Sequence, residues 1–483
     1  MTRTITRSAL PVLGLLLAAA CTRLTPEQQA VHDIAAALGG VDRVQAARLL
    51  TLEGTGRQFN LGQDLRPGLA EQTFTVSAYR RDYDVAGPRL RVTQTRTPNF
   101  AYFQGPQAQT QVQGVDGEAA YNIGASGSAT RVALSVAADR RAERFHHPLV
   151  LVQAALAPDA APTTMRTEGA ERMLDVPTPV GIVTLVVGAD GRPARITSAG
   201  THPNLGDVTL TTTFADFVEA EGLTLPTRLT TKIDDFTTGE YTVSNRTAAT
   251  GTVDTPPEIA TAAVPPPPVV NIAVEEVAPG VWFLAGQSHH STVVAFKDRL
   301  VMIEAPQSEA RSLAAIARAR ELRPGTPLTH LVMTHHHFDH STGLRAAIAE
   351  GLTIVTHEGN QAFVQEMAAR PFTRQPDALA RAPKAATVEG VAATQTITDG
   401  ARTLELHHVA GSPHSDTMLM AYLPRERVLI EVDVFSPGGS YHPYAANLLA
   451  HIERLKLRVD RIVPLHGSIA TLKDLVAAAR PPA

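Results

Sequence analysis

Apolar and polar positions follow two different rhythms along the 483 residues of this chain. From about residue 49 to residue 248 the apolar runs are short, rich in Thr and Val, and of period two, as in Thr73-Phe74-Thr75-Val76, Leu90-Arg91-Val92-Thr93 and Val208-Thr209-Leu210-Thr211. Alternation of this kind places one face of each strand in a core and predicts a β-rich region. Ahead of it, Thr25-Pro26-Glu27-Gln28 supplies a capping hydroxyl, a first-turn proline and a glutamine in capping-box position. Val31, Ile34, Ala35 and Leu38 follow on one face and Gly39-Gly40 stops the run, so one short amphipathic helix is predicted. Beyond residue 270 strands alternate with helices: 281–284, 292–296 and 300–304 read as strands, 309–322 as a helix with Ala310, Leu313, Ile316 and Ala317 on one side, and 328–333 as a buried strand. The alternation continues toward the end and suits a layered α/β sandwich with its site at the ends of strands. Between the two rhythms, Pro256-Pro257 and Pro265 to Pro268 cannot donate ladder hydrogen bonds and predict an extended, semi-rigid connection.

Size agrees with this division, because a chain of 483 residues exceeds one ordinary core. The expected organisation is a signal peptide at 1–20, a β-rich domain at 21–252, a Pro-rich linker at 253–269 and a second domain at 270–483. With 44% hydrophobic residues, 19% charged residues and a net charge of -4, the composition is that of a globular chain and argues against a nucleic-acid partner. Arg3 and Arg7 precede a short apolar stretch at 9–20, too brief to span a bilayer, which reads as an export signal. Its end, Leu17-Ala18-Ala19-Ala20-Cys21, resembles the lipobox of bacterial lipoproteins, in which the cysteine becomes the lipidated first residue. That resemblance implies a periplasmic or membrane-anchored lipoprotein held to the membrane only through Cys21. Ordinary cleavage with soluble release stays open. Since Cys21 is the single cysteine, an internal disulfide and a cysteine ligand in the mature chain are both ruled out. The opening helix followed by long strands loosely resembles periplasmic lipoprotein-carrier domains, whose curved half-barrel holds acyl chains.

The strand at 328–333 runs into Thr334-His335-His336-His337-Phe338-Asp339-His340, with a helix expected to start at Ser341 or Thr342. Imidazole and carboxylate together suit zinc or a similar first-row divalent ion. Three imidazoles, His335, His337 and His340, with Asp339 among them are more than one mononuclear site uses. Two adjacent ions are the simpler reading. A chance occurrence of His-x-His-x-Asp-His in a chain this long is on the order of one in a thousand, so coincidence is a weak explanation. The motif resembles that of the metallo-β-lactamase superfamily over roughly residues 270 to 483. The resemblance implies an αββα sandwich and a pair of metal ions, with zinc first in line and iron or manganese as alternatives. It assigns His335 and His337 to one ion, Asp339 and His340 to the other, and calls for three further ligands. His414 in Gly411-Ser412-Pro413-His414, Asp433 after the apolar run at 428–432, and His466 in Val463-Pro464-Leu465-His466-Gly467 match them in order. Glu304 stands where the family more often has aspartate.

Singly, each strand-end histidine reads as a hydrogen-bonded structural side chain; jointly they reverse that reading. His336 faces away from the motif by alternation. His357 and His407 sit on or beside strands, and His330, His408 and His451 show no ligand pattern. His289, His290 and His442 lie in loops able to border a metal cleft. Two ions lower the pKa of a shared water and polarise a substrate oxygen, so the expected chemistry is hydrolysis by a metal-bridging hydroxide, with Asp339 as the catalytic side chain that orients it. A small-molecule ester, thioester, lactone or phosphodiester is the expected substrate class. A periplasmic metallo-β-lactamase is the first alternative. It is disfavoured because such members typically carry cysteine or serine where Asp433 stands, and their substrate-binding lysine is replaced here by Ser436. The second alternative is an envelope lipid- or ligand-binding lipoprotein whose metal site is structural.

Overall fold

The computed structural model describes residues 23–100, 107–169, 171–267, 269–438 and 441–481. The expected signal peptide and Cys21 lie outside the described residues.

Thirteen antiparallel strands between Leu49 and Ala248 form one continuous sheet. The strand Leu49–Phe59 stands near its middle, flanked by Thr73–Asp84 on one side and by Phe236–Ala248 on the other. The helix Pro26–Ala37 opens with both capping-box bonds in place: Thr25 N–H donates to Gln28 Oε1 at 2.9 Å and Gln28 N–H donates to Thr25 Oγ1 at 3.2 Å. Its buried face, Ala30, Val31, Ile34 and Ala35, joins Leu50, Leu52, Val76 and Tyr83 of the strands in a single apolar core. Burial of each such leucine or isoleucine contributes about 1.5–3 kcal/mol before entropy is subtracted.

The alternation reading missed two helices in this region, Leu134–Arg144 and Pro148–Ala155. The second is apolar on nearly every side, with Leu149, Val150, Leu151 and Val152 all buried, so neither a period of two nor one of 3.6 marks it in the sequence. The Pro-rich connection is also not simply extended. Val253 and Ile259 are buried, Pro257–Ala260 forms a 3-10 turn, and Arg131 donates to the Ala262 carbonyl at 3.0 Å.

The remaining strands form two sheets. Seven, from Ala273–Ala278 to Val388–Val391, lie side by side in chain order, antiparallel at first and parallel from Leu300–Ile303 onward. Five, from Thr394–Thr398 to Arg461–Pro464, form the other, its last pair parallel. Val294, Val301, Ile303, Val332 and Val355 of one share a core with Leu404, Leu406, Leu419, Ile430 and Val463 of the other. Helices Glu309–Leu322, Leu344–Ala349 and Gln361–Ala369 share a second core with the seven-stranded sheet, and Ala445–Arg454 and Leu472–Ala478 share a third with the five-stranded sheet. The strand region before residue 249 is bonded to this assembly: Leu205 and Val208 enter the second core, Arg370 Nε donates to the Leu205 carbonyl at 2.7 Å, and the Asp207 carboxylate accepts from the N–H of Thr373 at 2.9 Å and of Arg374 at 3.0 Å.

Candidate metal centre

Parallel strands deliver their C-terminal ends to one edge of a sheet, and the loops leaving Leu300–Ile303, Leu328–Val332, Val428–Glu431 and Arg461–Pro464 carry Glu304, the His335–His340 loop, Asp433 and His466. His414 arrives in the loop before Leu419–Leu423, which is held by a bond from Leu419 N–H to the Thr334 carbonyl at 2.9 Å. The helix expected at Ser341 or Thr342 begins earlier, as the short turn Phe338–Ser341 inside the motif, and resumes at Leu344–Ala349. The early turn lets Asp339 and His340 point back toward His335 instead of continuing along the strand.

All seven sequence-predicted residues meet. One group brings together ligand atoms of His335, His337, His414 and Asp433 within 4.8 Å of one another, and another does so for Asp339, His340 and Asp433. Asp433 joins them, its Oδ2 lying 3.1 Å from His414 Nε2 and 2.8 Å from His340 Nε2, its Oδ1 2.8 Å from His466 Nε2. It holds this position in the left-handed backbone region, φ 59°, where a non-glycine residue is strained, as side chains at functional sites often are. His335, His337 and His340 are fully buried, and His335 Nε2, His337 Nδ1, His340 Nε2 and His414 Nε2 have no hydrogen bond of proper geometry. Buried nitrogens without such bonds, converging on two carboxylates, are what a divalent cation requires, so the residues fit one.

The opposite ring nitrogens are tied down. His335 Nδ1 lies 3.1 Å from Thr334 Oγ1, His340 Nδ1 3.2 Å from Glu304 Oε2, and His466 Nδ1 donates to the Ser288 carbonyl at 2.8 Å. Glu304 also accepts the Thr334 N–H at 2.6 Å, so one carboxylate holds both ends of the histidine loop. Burial drives the His335 and His337 imidazoles well below their ordinary range, favouring the neutral form that ligates. Burial acts the same way on His340, but Asp433 and Asp339 outweigh it and raise that group, while burial of Asp433 is outweighed by His340, His414 and His466.

Of the three loop histidines left open by the sequence, His289 enters the cluster: it groups with His340 and His466, and its Nε2 lies 3.2 Å from Asp339 Oδ2. His290 packs on Phe283 with its Nδ1 accepting from Gly286 N–H at 3.2 Å. His442 is buried at the rim, its Nδ1 accepting from Tyr444 N–H at 3.4 Å. Sequence reasoning missed a second contribution altogether, from the segment between the first two strands. Gln63 Nε2 donates to Asp339 Oδ1 at 2.7 Å, the Asp64 carbonyl accepts from His337 Nε2 at 2.9 Å, and Asp64 Oδ1 lies 2.9 Å from His336 Nε2. No signal in the sequence marks Gln63 or Asp64, which are ordinary loop residues some 270 positions from the motif.

Residues 284–466 match the family model described as the metallo-beta-lactamase superfamily. No curated protein matches the chain. Among solved structures, it is similar to a metallo-beta-lactamase from Pontibacter korlensis, at 17% identity over 43% of this chain and 96% of that one, with a TM-score of 0.35. It is also similar to a metallo-beta-lactamase from Hirschia baltica, at 15% identity over 44% and 99%, TM-score 0.35. A third is the rubredoxin oxygen:oxidoreductase of Desulfovibrio gigas, at 18% identity over 42% and 59%, TM-score 0.33.

Proposed function

We propose that the metallo-beta-lactamase superfamily domain matched at 284–466 is a metal-dependent hydrolase with a dinuclear centre, zinc first in line, acting on an ester, thioester, lactone or phosphodiester. The observation that carries this reading is the pair of ligand groups sharing Asp433, one completed by His335, His337 and His414 and the other by Asp339, His340 and His466. Two bound divalent ions would supply a water of lowered pKa and a Lewis acid for the substrate oxygen. The chain's own residues then have distinct tasks. Asp433 is 10% exposed and ringed by imidazoles, which suits it to hold charge and nothing else. The Asp339 side chain is 41% exposed, so it is the carboxylate of the pair more open to an entering substrate and placed to orient the attacking water and move its proton. Asp433, where lactamases typically have cysteine or serine, supports the substrates above over β-lactams. We further propose an envelope location, supported by the charged and apolar opening of the chain and by Cys21.

The test is metal analysis of the purified chain coupled to a hydrolysis panel covering the four bond types and a chromogenic cephalosporin. Two ions per chain and turnover on one of the four are expected, with His337→Ala and Asp433→Ala each losing metal and lowering kcat/KM by at least about 100-fold. Undiminished turnover after complete metal removal would sink the reading, as would two tightly held ions with no hydrolysis across the panel.

A further inference from the structure

The segment that joins the first two strands of the N-terminal sheet, residues 60–72, reaches the ligand loops through five separate bonds. Besides Gln63 to Asp339 and Asp64 to both His336 and His337, the Gly62 carbonyl accepts from Phe338 N–H at 3.1 Å and the Leu65 carbonyl accepts from Asp416 N–H at 2.6 Å. It is thereby joined to the loop of His335–His340 and to the loop of His414. We infer that this segment completes the metal centre, with Asp64 and Gln63 as positioning residues that act through His337 and Asp339; the inference rests on the dinuclear reading above.

The chemistry of the partners fixes what each bond does. A carbonyl oxygen can only accept, so the Asp64 carbonyl at 2.9 Å requires the proton of His337 on Nε2 and leaves the lone pair on Nδ1. Nδ1 is buried and has no hydrogen bond, and His337 groups with His335, His414 and Asp433. The first domain thus selects the tautomer in which His337 can ligate. An amide nitrogen can only donate, so Gln63 fixes the Oδ1 of Asp339 while Oδ2 faces His289 at 3.2 Å and His340 at 3.5 Å. The Gln63 bond fixes the rotation of the Asp339 carboxylate and so keeps Oδ2 on the side of His340.

The segment is itself held in place. Glu71 accepts the N–H of Gly62 at 2.9 Å and of Gln63 at 3.1 Å. Gly62 has φ 74°, and a Cβ there would fall 2.2 Å from the Phe338 ring, so any side chain would push the segment off the histidine loop. Outer partners of this kind typically change metal affinity by about 10–100-fold.

Cobalt(II) titration of the full chain, followed by its d–d absorption, separates the possibilities. Wild type should bind two ions. Gln63→Leu, at a partly buried loop position and close to glutamine in size, should weaken one ion by about 10–100-fold and shift its spectrum while the other is retained. Gly62→Ala, which displaces the Asp64 carbonyl, should weaken the ion held by His337 as well. Two ions in wild type with affinities and spectra within twofold in both variants would overturn the inference and leave the hydrolase reading standing. Wild type that binds no cobalt would overturn the hydrolase reading itself.

Discussion

Glu71 carries an unusual electrostatic load for a residue that only anchors a loop. Burial raises its carboxyl from about 4.5 to about 7, the backbone bonds from Gly62 and Gln63 pull it down, and the charge of Asp64 pushes it up again. The folded chain therefore retains a proton at this site that the unfolded chain releases near pH 4.5. The sign follows: the contribution to stability is fully present below about pH 4.5 and is lost as pH rises through about 7. Glu71→Gln removes the titration and keeps one of the two acceptors, since Oε1 takes the Gly62 N–H and Oε2 the Gln63 N–H while an amide has a single oxygen; that loss is a pH-independent offset. Thermal melts of the two proteins should diverge between pH 5 and pH 8, wild type losing ground to the variant as pH rises. A difference that stays constant over this range would mean that the carboxyl does not titrate there. Its link to function is short, because Glu71 holds the Gln63 backbone and Gln63 holds Asp339.

At the scale of elements, the helix Leu344–Ala349 follows the histidine loop in the chain and is itself anchored by residues further along the chain, away from that loop's sequence. Arg345 on that helix is buried, pairs with both carboxylate oxygens of Asp377, and donates to the carbonyls of Met367 at 2.9 Å and Ala368 at 2.8 Å. Asp377 also caps the helix Ala378–Arg381 by accepting Ala380 N–H at 2.7 Å. Asp377→Ala leaves a buried guanidinium without its counter-charge, and an unfolding free energy lower by about 3–5 kcal/mol is expected in denaturant titration. Adding Arg345→Met should recover part of it, since the uncompensated charge is then gone; a double variant no more stable than the single one would show that the carbonyl bonds of Arg345 matter more than its charge. Neither residue stands out in the sequence, and the reason applies generally. The metal motif was legible because four of its side chains lie within six positions of one strand end, where spacing alone carries the chemistry. His414, Asp433 and His466 were legible only through the family resemblance. The helix Pro148–Ala155 was not, because a segment buried all round has no polar face to set a period.

The whole molecule adds what no motif could contain, which is the dependence of one region on the other. Thirteen strands and two buried histidines, His146 and His147, form the platform from which residues 60–72 reach the metal loops. Burial pushes His146 down to about 4 and His147 to about 3, and both are neutral in the folded chain, His146 lying 3.1 Å from Thr212 Oγ1 and 2.8 Å from Ser198 Oγ. Below an ordinary histidine value near 6.5 the unfolded chain takes up protons that the folded chain refuses, so stability present at neutral pH is lost as pH falls toward about 4. For His146 alone the loss between pH 6.5 and pH 4.5 is about 2–3 kcal/mol. His146→Gln, which can bond both hydroxyls without titrating, should flatten that part of the pH dependence. Trp282, the single tryptophan, lies in the strand Val281–Ala285 of the other region and reports whether the effect crosses the interface. Because Leu205 and Val208 belong to the core beneath that sheet, its fluorescence should follow the same pH-dependent unfolding curve as far-ultraviolet circular dichroism, and His146→Gln should shift both together. Two separated transitions, with Trp282 indifferent to the substitution at His146, would show that the regions unfold independently and that the N-terminal sheet supports the metal loops only by contact.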